Sequence, residues 1–400
     1  MWTIMLVLLY LIFEGLAFLG LIFLEKQKDV YYNPILKTSV SDLHRDMLKI
    51  YLANEAYIVH DSLTGWALNP NVEKGLYRIN AQGLRGNREY SQIPDSGKIR
   101  ISVHGDSFTF GDEVNNDQTW AAQLEALDNR LEALNFGVSG YGLDQAFLRY
   151  QTLGKRFPGN YVFMCVMPAD IRRHVNVFRP FLHSFTGLPL SKPRFILRND
   201  SLKLLPNPMP SINNYREMLL NPGDRIPELG RHDDFFRQGY DKKSWDRVPS
   251  LRLGKTLKYA YKKTDPVDEI IVQNIINENS RAFILTQRIL TAFYQEAMRR
   301  GEKPIVVLLP ARKDLTQFRK RGRRIYQPLI AFLQDSGMDW VDLMDGFEKF
   351  GKNDNLKTLF MKSHYSPRGN QIVARTLAEY IGEAAQPAPQ PVGGAQNPHN

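Results

Sequence analysis

Cysteine is almost missing: the 400 residues hold one, Cys165. A single thiol excludes an internal disulfide framework and any cysteine-built metal cluster. Inside the apolar run YVFMCVM it reads as a small buried residue. There is no H-E-x-x-H pair, so no metal site is expected. The one glycine-rich run, NFGVSGYG at 135–142, is spaced G-x-x-G-x-G, which is not the dinucleotide-binding order, and no cofactor is expected. Internal repeats are absent. Acidic residues are the scarcer sign, 42 against 52 basic, for a net charge of +10. Much of the surplus lies in ARKDLTQFRKRGRRIY, 311–326, with seven basic residues and one acid. Its aromatics, Phe318 and Tyr326, are too few for a nucleic-acid stacking platform. The stretch reads first as a solvated helix face. The functional alternative is a surface at 312–324 for anionic lipid or an acidic polymer.

Charge is also missing from the N-terminus. Trp2 to Leu24 is a run of 23 residues with one charge, Glu14. That length spans a hydrocarbon core as a helix. Glu14 should cost about 2.5–3.5 kcal/mol on insertion scales, which the many Leu, Ile and Phe offset. The run lacks a basic leader and a small-x-small cleavage site, so it reads as an uncleaved anchor. Lys26 and Lys28 follow it with nothing basic before it, and charge bias alone would keep the body cytoplasmic.

The rest of the chain divides by pattern. Residues 25–95 are rich in turn formers, with short strands and loops in GWALNPN and INAQGLRGNREY. From 96 to 383 strands and helices alternate. KIRISVH, ALNFGV, NYVFMCVM, KPIVVLLP and DWVDLM read as strands, and the continuous apolar runs suit strands buried on both faces. Helices are expected over DQTWAAQLEALDNRL and LDQAFLRYQTLGKRF. Others should run from the Asp265-Pro266 cap to about Arg300, over 312–335 with a break near Gly322, and onward from Ser366-Pro367. Residues 175–263, with many prolines and glycines, read as an insertion holding a hairpin, RFILRNDSLKLL, that turns at Asn199-Asp200. The tail, 384–400, should be disordered. The alternation implies a parallel sheet covered on both faces, with a site beyond the carboxyl ends of its strands.

Four loops reach that edge. Ser107 follows the first strand in GDSFTFG, Gly137 the second, Asp170 the third, and His364 precedes the last helix. A serine hydroxyl needs a base to become a nucleophile, and histidine is the usual one. Acyl transfer also needs oxyanion donors; the backbone N–H groups of Ser107 and Gly137 are placed for that.

GDSFTFG, NFGVSGYGLDQ and HYSPRGNQIVA resemble the first, second and last sequence blocks of the SGNH/GDSL hydrolases. GW…NPN…INAQGLRGNREY ahead of them resembles the subgroup whose hydrolase domain follows a membrane segment. The resemblance covers roughly 60–170 and 300–383. It implies a flavodoxin-like three-layer α/β/α domain with a mostly parallel sheet, and ester hydrolysis with no cofactor. Ser107 would be the nucleophile, His364 the base, Ser107 and Gly137 the oxyanion donors, and Asp106 and Asp170 supports. By analogy the substrate is an O-acyl, most simply O-acetyl, ester of a glycan, and the body is extracytoplasmic. This chain departs from the family pattern twice. Ala169 precedes Asp170 where an asparagine would complete the oxyanion hole, and Lys362 and Met361 stand where an acid would orient the histidine. A backbone carbonyl, or Asp342, Asp345 or Asp354, would have to hold His364 instead. Two other readings stay open: a degenerate domain that binds a glycan or protein partner, and a lysophospholipid hydrolase.

Overall fold

A computed structural model describes residues 1–27, 34–239, 241–261 and 269–384. Its sheet has five parallel strands: β1 (Ile99–His104), β2 (Leu131–Asn135), β3 (Tyr161–Val166), β4 (Lys303–Leu308) and β5 (Trp340–Asp342), in the order β2-β1-β3-β4-β5. This is the flavodoxin-like order, whose direction of travel reverses between β1 and β3. The register aligns the carboxyl ends. Val103 pairs with Asn135, His104 with Met164, Val166 with Leu308, and Leu308 with Asp342. β3 and β4 are buried on both faces beyond their first residue, as continuous apolar runs require.

The helices that matter here are α1 (Trp2–Gln27), α2 (Ser107–Phe110), α3 (Trp120–Leu127), α4 (Leu143–Thr152), α5 (Pro249–Tyr261), α6 (Arg281–Arg299), α7 (Arg312–Arg321), α8 (Gln327–Asp335), α9 (Leu343–Gly351) and α10 (Pro367–Ala384). α3, α9 and α10 pack together on one side of the sheet, and α4 and α6 on the other. The expected three-layer α/β/α architecture is therefore present.

Most sequence expectations hold locally. The hairpin Arg194–Arg198 with Ser201–Leu205 turns at Asn199 (φ +50°) and Asp200 (φ +58°), as a two-residue turn matching strand twist demands. Gly322, at φ +64°, ends α7 and separates it from α8. One helix start is corrected. α6 begins at Arg281, where the Ser280 hydroxyl accepts from Phe283 N–H, and not at Asp265-Pro266, which lies outside the described residues. The chain before it forms a small hairpin, Ile271–Val272 with Ile275–Ile276, whose turn residues Gln273 and Asn274 have positive φ and cannot continue a helix. The tail beyond 384 also lies outside the described residues.

α1 is long and apolar enough over Trp2–Leu24 to cross a membrane, and most of that segment is unburied. Three of the seven basic residues in the 311–326 stretch are tied inward: Arg312 donates to the Met361 carbonyl at 2.5 Å, Arg319 meets Glu348 at 2.9 Å, and Arg324 meets Asp342 at 2.7 Å. The other four are exposed.

Candidate active site

β1 ends at Gly105 because nothing larger fits. A Cβ there would stand 2.2 Å from Thr109 Oγ1 and 2.9 Å from Cys165 Cβ on the neighbouring strand. Asp106 then caps α2, its carboxylate accepting from Phe108 N–H at 2.9 Å. α2 is a single turn. The Ser107 carbonyl accepts from both Gly111 N–H and Asp112 N–H at 3.0 Å, and Gly111 closes the turn at φ +83°. The chain is thereby folded back on its start, and the two residues after the closure, Asp112 and Glu113, come to lie beside Ser107.

His364 arrives from the far end of the sequence. It sits in a tight loop in which Phe360 bridges to Tyr365 and Met361 N–H donates to the His364 carbonyl at 2.8 Å. Tyr365 Oη donates to the Pro310 carbonyl at 2.8 Å, which ties the loop to the carboxyl end of β4. Phe108 packs against the imidazole, ring centroids 4.9 Å apart. The result is a 2.9 Å contact between His364 Nε2 and Ser107 Oγ, with the serine 7% exposed. Two residues 257 positions apart meet at hydrogen-bond distance.

The acid that faces the histidine is Glu113. Its Oε1 lies 3.3 Å from His364 Nδ1, in ion-pair range though not in line as a hydrogen bond. Its Oε2 accepts from Ser363 N–H at 3.0 Å and His364 N–H at 3.4 Å. Partial burial opposes its charge, but these N–H donors and the imidazole outweigh it and hold the carboxyl below its ordinary value. Glu113 adopts φ +71°, a left-handed conformation that costs a non-glycine residue on the order of 1–2 kcal/mol. Asp112 is on the other side of the ring: Oδ2 stands 3.9 Å from Nε2, and Oδ1 accepts from Ser139 Oγ at 2.8 Å. Burial raises the Asp112 carboxyl, against the pull of His364 and the Ser139 hydroxyl.

Asp342, Asp345 and Asp354 do not reach the histidine. Asp342 accepts from Arg324 Nε at 2.7 Å and Tyr326 Oη at 2.8 Å, Asp345 also pairs with Arg324, and Asp354 binds Arg368 Nε at 2.9 Å. Gly137 also departs from expectation. Its N–H donates to Asn135 Oδ1 at 2.9 Å, so it is not available to an oxyanion. Gly137 is instead a packing residue: a Cβ there would lie 2.3 Å from Phe110 N. Asp170 sits behind the Gly105–Ser107 turn, where it and Asp106 both face Arg173, Asp106 at 3.4 Å. Burial and then the Asp106 carboxylate push Asp170 well above its ordinary value against the attraction of Arg173. It contacts neither Ser107 nor His364.

Sequence reasoning also missed the wall supplied by the N-terminal extension. Tyr57 Oη donates to Ser139 Oγ at 3.3 Å, Glu113 N–H donates to Tyr77 Oη at 3.1 Å, and Trp66 Nε1 donates to the Ser139 carbonyl at 3.0 Å. Arg85 stacks over Tyr77 and Phe110 at 4.5 and 4.6 Å. A local signal for Glu113 did exist. A one-turn helix closed by glycine returns the chain to its origin, so acids directly after Gly111 are placed near Ser107.

The flavodoxin-like architecture implied by the SGNH/GDSL resemblance is the one present. No protein-family model matches the chain. No curated protein matches it. Among solved structures it is similar to a member of the lipolytic protein G-D-S-L family from Veillonella parvula DSM 2008, at 11% identity, covering 71% of this chain and 98% of that one, TM-score 0.36. It is similar to Axe2, an acetyl xylan esterase from Geobacillus stearothermophilus, at 12% identity, covering 73% and 97%, TM-score 0.37. An alpha/beta hydrolase enzyme from the metagenome of Lake Arreo, Spain, is similar at 13% identity, covering 71% and 95%, TM-score 0.38.

Proposed function

We propose that the chain is a membrane-anchored serine esterase or acyltransferase that acts on O-acyl, above all O-acetyl, esters of a glycan. The observation that carries the reading is the 2.9 Å contact of Ser107 Oγ with His364 Nε2, backed by Glu113 at Nδ1. In this mechanism His364 Nε2 takes the Ser107 proton as Oγ attacks the ester carbonyl. The carbonyl becomes an oxyanion, His364 returns the proton to the leaving alcohol, and an acyl-serine remains. Water, or an acceptor hydroxyl in the transferase case, attacks that ester by the same route reversed. Glu113 keeps the ring proton on Nδ1 and stabilises the imidazolium.

Two backbone N–H groups suit the oxyanion. Ser107 N–H, at the start of α2, and Gly140 N–H, one residue past the Ser139 that reaches Asp112, take no acceptor among the described residues. Gly140 thus replaces Gly137 in this role. α1 serves as the anchor, with the body on the extracytoplasmic side. The glycan preference rests on the family analogy.

The test is chemical. The full chain and Ser107→Ala are treated with a fluorophosphonate probe and with 4-nitrophenyl acetate. Labelling and turnover that both vanish in the variant support the reading; equal signals in the two chains end it. That second outcome would leave a binding domain, a reading that Ala169 and the engaged Gly137 N–H support. A series of acyl chain lengths separates acetyl esters from lysophospholipids, and a C-terminal reporter decides the side of the membrane.

A further inference from the structure

α5 lies against α1, and the contact is chemically specific. Glu14, the one charge between Trp2 and Leu24, accepts from Ser250 N–H at 2.9 Å and from Ser250 Oγ at 2.6 Å. Farther along α1, a Cβ at Gly20 would stand 3.3 Å from Leu253 Cδ2. The two helices therefore run side by side in the same direction. α5 starts at Glu14 and proceeds toward the Leu24 end of the anchor.

Each side of this contact removes a cost that the other would have in lipid. A carboxylate deep in a bilayer costs about 2.5–3.5 kcal/mol on insertion scales. The first N–H groups of a helix have no intrahelical partner, and hydrocarbon supplies none. Glu14 and the start of α5 satisfy one another. At 1.5 Å per residue Glu14 lies about 15 Å from Leu24, which is half a hydrocarbon core.

The rest of α5 carries both long cations and exposed apolar side chains. Arg252, Lys255 and Lys258 recur at every third residue and share a face, while Leu251 and Leu257 are 51% and 39% exposed. Lys255 pairs with Asp246 and lies 5.5 Å over the ring of Trp245, which is itself 52% exposed. Beside the helix, a cleft of about 610 Å³ opens between Phe18 and Ile22 of the anchor and Lys242, Arg247 and Arg252. Phe185, 87% exposed, stands at the same cleft. Exposed aromatics and long cations at one level are the composition of a bilayer interface.

We propose that α5 is a second, half-length membrane element: it enters the leaflet that holds the Leu24 end of α1, docked on Glu14, and sets Lys242, Arg247 and Arg252 against anionic phospholipid headgroups. This rests on reading α1 as a membrane span. It goes beyond anchoring, because it places α5 in the lipid beside α1 and gives the surface a lipid preference.

The experiment uses the full chain reconstituted into vesicles of phosphatidylcholine alone or mixed with phosphatidylglycerol. Spin labels are attached one at a time at Leu9→Cys in α1, Leu257→Cys in α5 and Lys203→Cys on the exposed hairpin. Cys165 is buried, with its thiol pushed up to about 12, and leaves the reagent to the introduced cysteines. The readout is collision with oxygen, which enters lipid, against collision with a nickel chelate, which stays in water. We expect the oxygen-to-nickel ratio at 257 to exceed that at 203 several-fold, to rise with phosphatidylglycerol, and to fall when Glu14→Gln is added. A Leu257 label that reads like Lys203 in both lipids, while Leu9 reads as lipid-facing, overturns the proposal and leaves the anchor intact. A water-exposed Leu9 overturns the anchor reading itself. Spin–spin broadening at 257 that unlabelled chain relieves would mean that a second copy covers the face, which also overturns the lipid assignment.

Discussion

Glu113→Gln is the sharpest test of how the histidine is held. The substitution keeps the length and shape of the side chain and removes its charge. Glu113 uses both oxygens as acceptors, Oε1 toward His364 Nδ1 at 3.3 Å and Oε2 toward the N–H groups of Ser363 and His364 at 3.0 and 3.4 Å. An amide has one acceptor oxygen. If that oxygen stays on the loop N–H groups, the NH₂ faces Nδ1 and favours the tautomer with its proton on Nε2. That proton points at Ser107 Oγ, and the ring can no longer take the serine proton. If the amide flips, the ring is held correctly but the NH₂ confronts two N–H donors and the 361–366 loop loosens. In a buried, aligned triad this change costs up to about 10⁴ in turnover. Here the contact is long, and the Glu113 side chain is 26% exposed, so water can partly substitute. The expected loss is about 10²–10³ in kcat, with KM little altered, since in the proposed mechanism Glu113 holds the base and does not bind ester. The assay is 4-nitrophenyl acetate turnover together with the rate of fluorophosphonate labelling; both should fall in step, with the melting temperature unchanged. Turnover within twofold of the parent, in a preparation where Ser107→Ala is dead, would refute the reasoning.

The other expectations concern strain, titration and packing. Glu113→Gly should lose activity with little net change in stability, because glycine accepts φ +71° freely and this offsets the lost hydrogen bonds from Ser363 and His364 N–H; a melting temperature several degrees below the parent would contradict this. His174 is neutral in the fold: Nδ1 contacts Thr286 Oγ1 at 3.0 Å, Leu143 N–H points at Nε2 from 3.4 Å, and burial pushes its pKa down to about 4 from 6.5. The unfolded chain therefore takes up a proton between pH 6.5 and 4 that the folded chain refuses, and stability falls as pH drops through that window, by up to about 3 kcal/mol. Denaturant titrations at neutral and mildly acidic pH should show a smaller acid loss for His174→Gln, and equal losses would count against it. Gly346→Ala would put a Cβ 2.0 Å from Thr376 Oγ1, whose hydroxyl is committed to the Ile372 carbonyl at 2.9 Å. It should cost about 1–3 kcal/mol by wedging α9 from α10, and Thr376→Ala in the same chain should restore part of that, since the Thr376 Cβ that alanine keeps stands 2.9 Å from the added carbon. An unaltered unfolding midpoint in the single variant would show that the interface is looser than these distances.

The elements that followed from the amino-acid order are those set by local physics. Apolar runs such as YVFMCVM and KPIVVLLP suit strands buried on both faces, and Asn199-Asp200 and Gly322 mark reversals by their tolerance of positive φ. With the strands placed, Ser107 and His364 had to emerge on one edge of a parallel sheet, so their meeting was legible from 257 positions apart. The engagement of the Gly137 N–H and the acid that faces His364 were not. Whether the Gly137 N–H is free depends on where Asn135, two residues away, sends its amide oxygen, and that is settled by packing under α2. Whether Glu113 or Asp342 faces the imidazole depends on a left-handed residue after a one-turn helix and on Arg324 claiming the rival. The tyrosine wall from Tyr57 and Tyr77, and the pairing of Glu14 with Ser250, depend on segments that touch only after the whole chain has closed. Periodicity and turn chemistry act over a few residues, so the sequence determined the scaffold and the edge at which Ser107 and His364 meet. The partner of each polar group is chosen by competition among donors and acceptors from distant segments, and only the tertiary structure decides that.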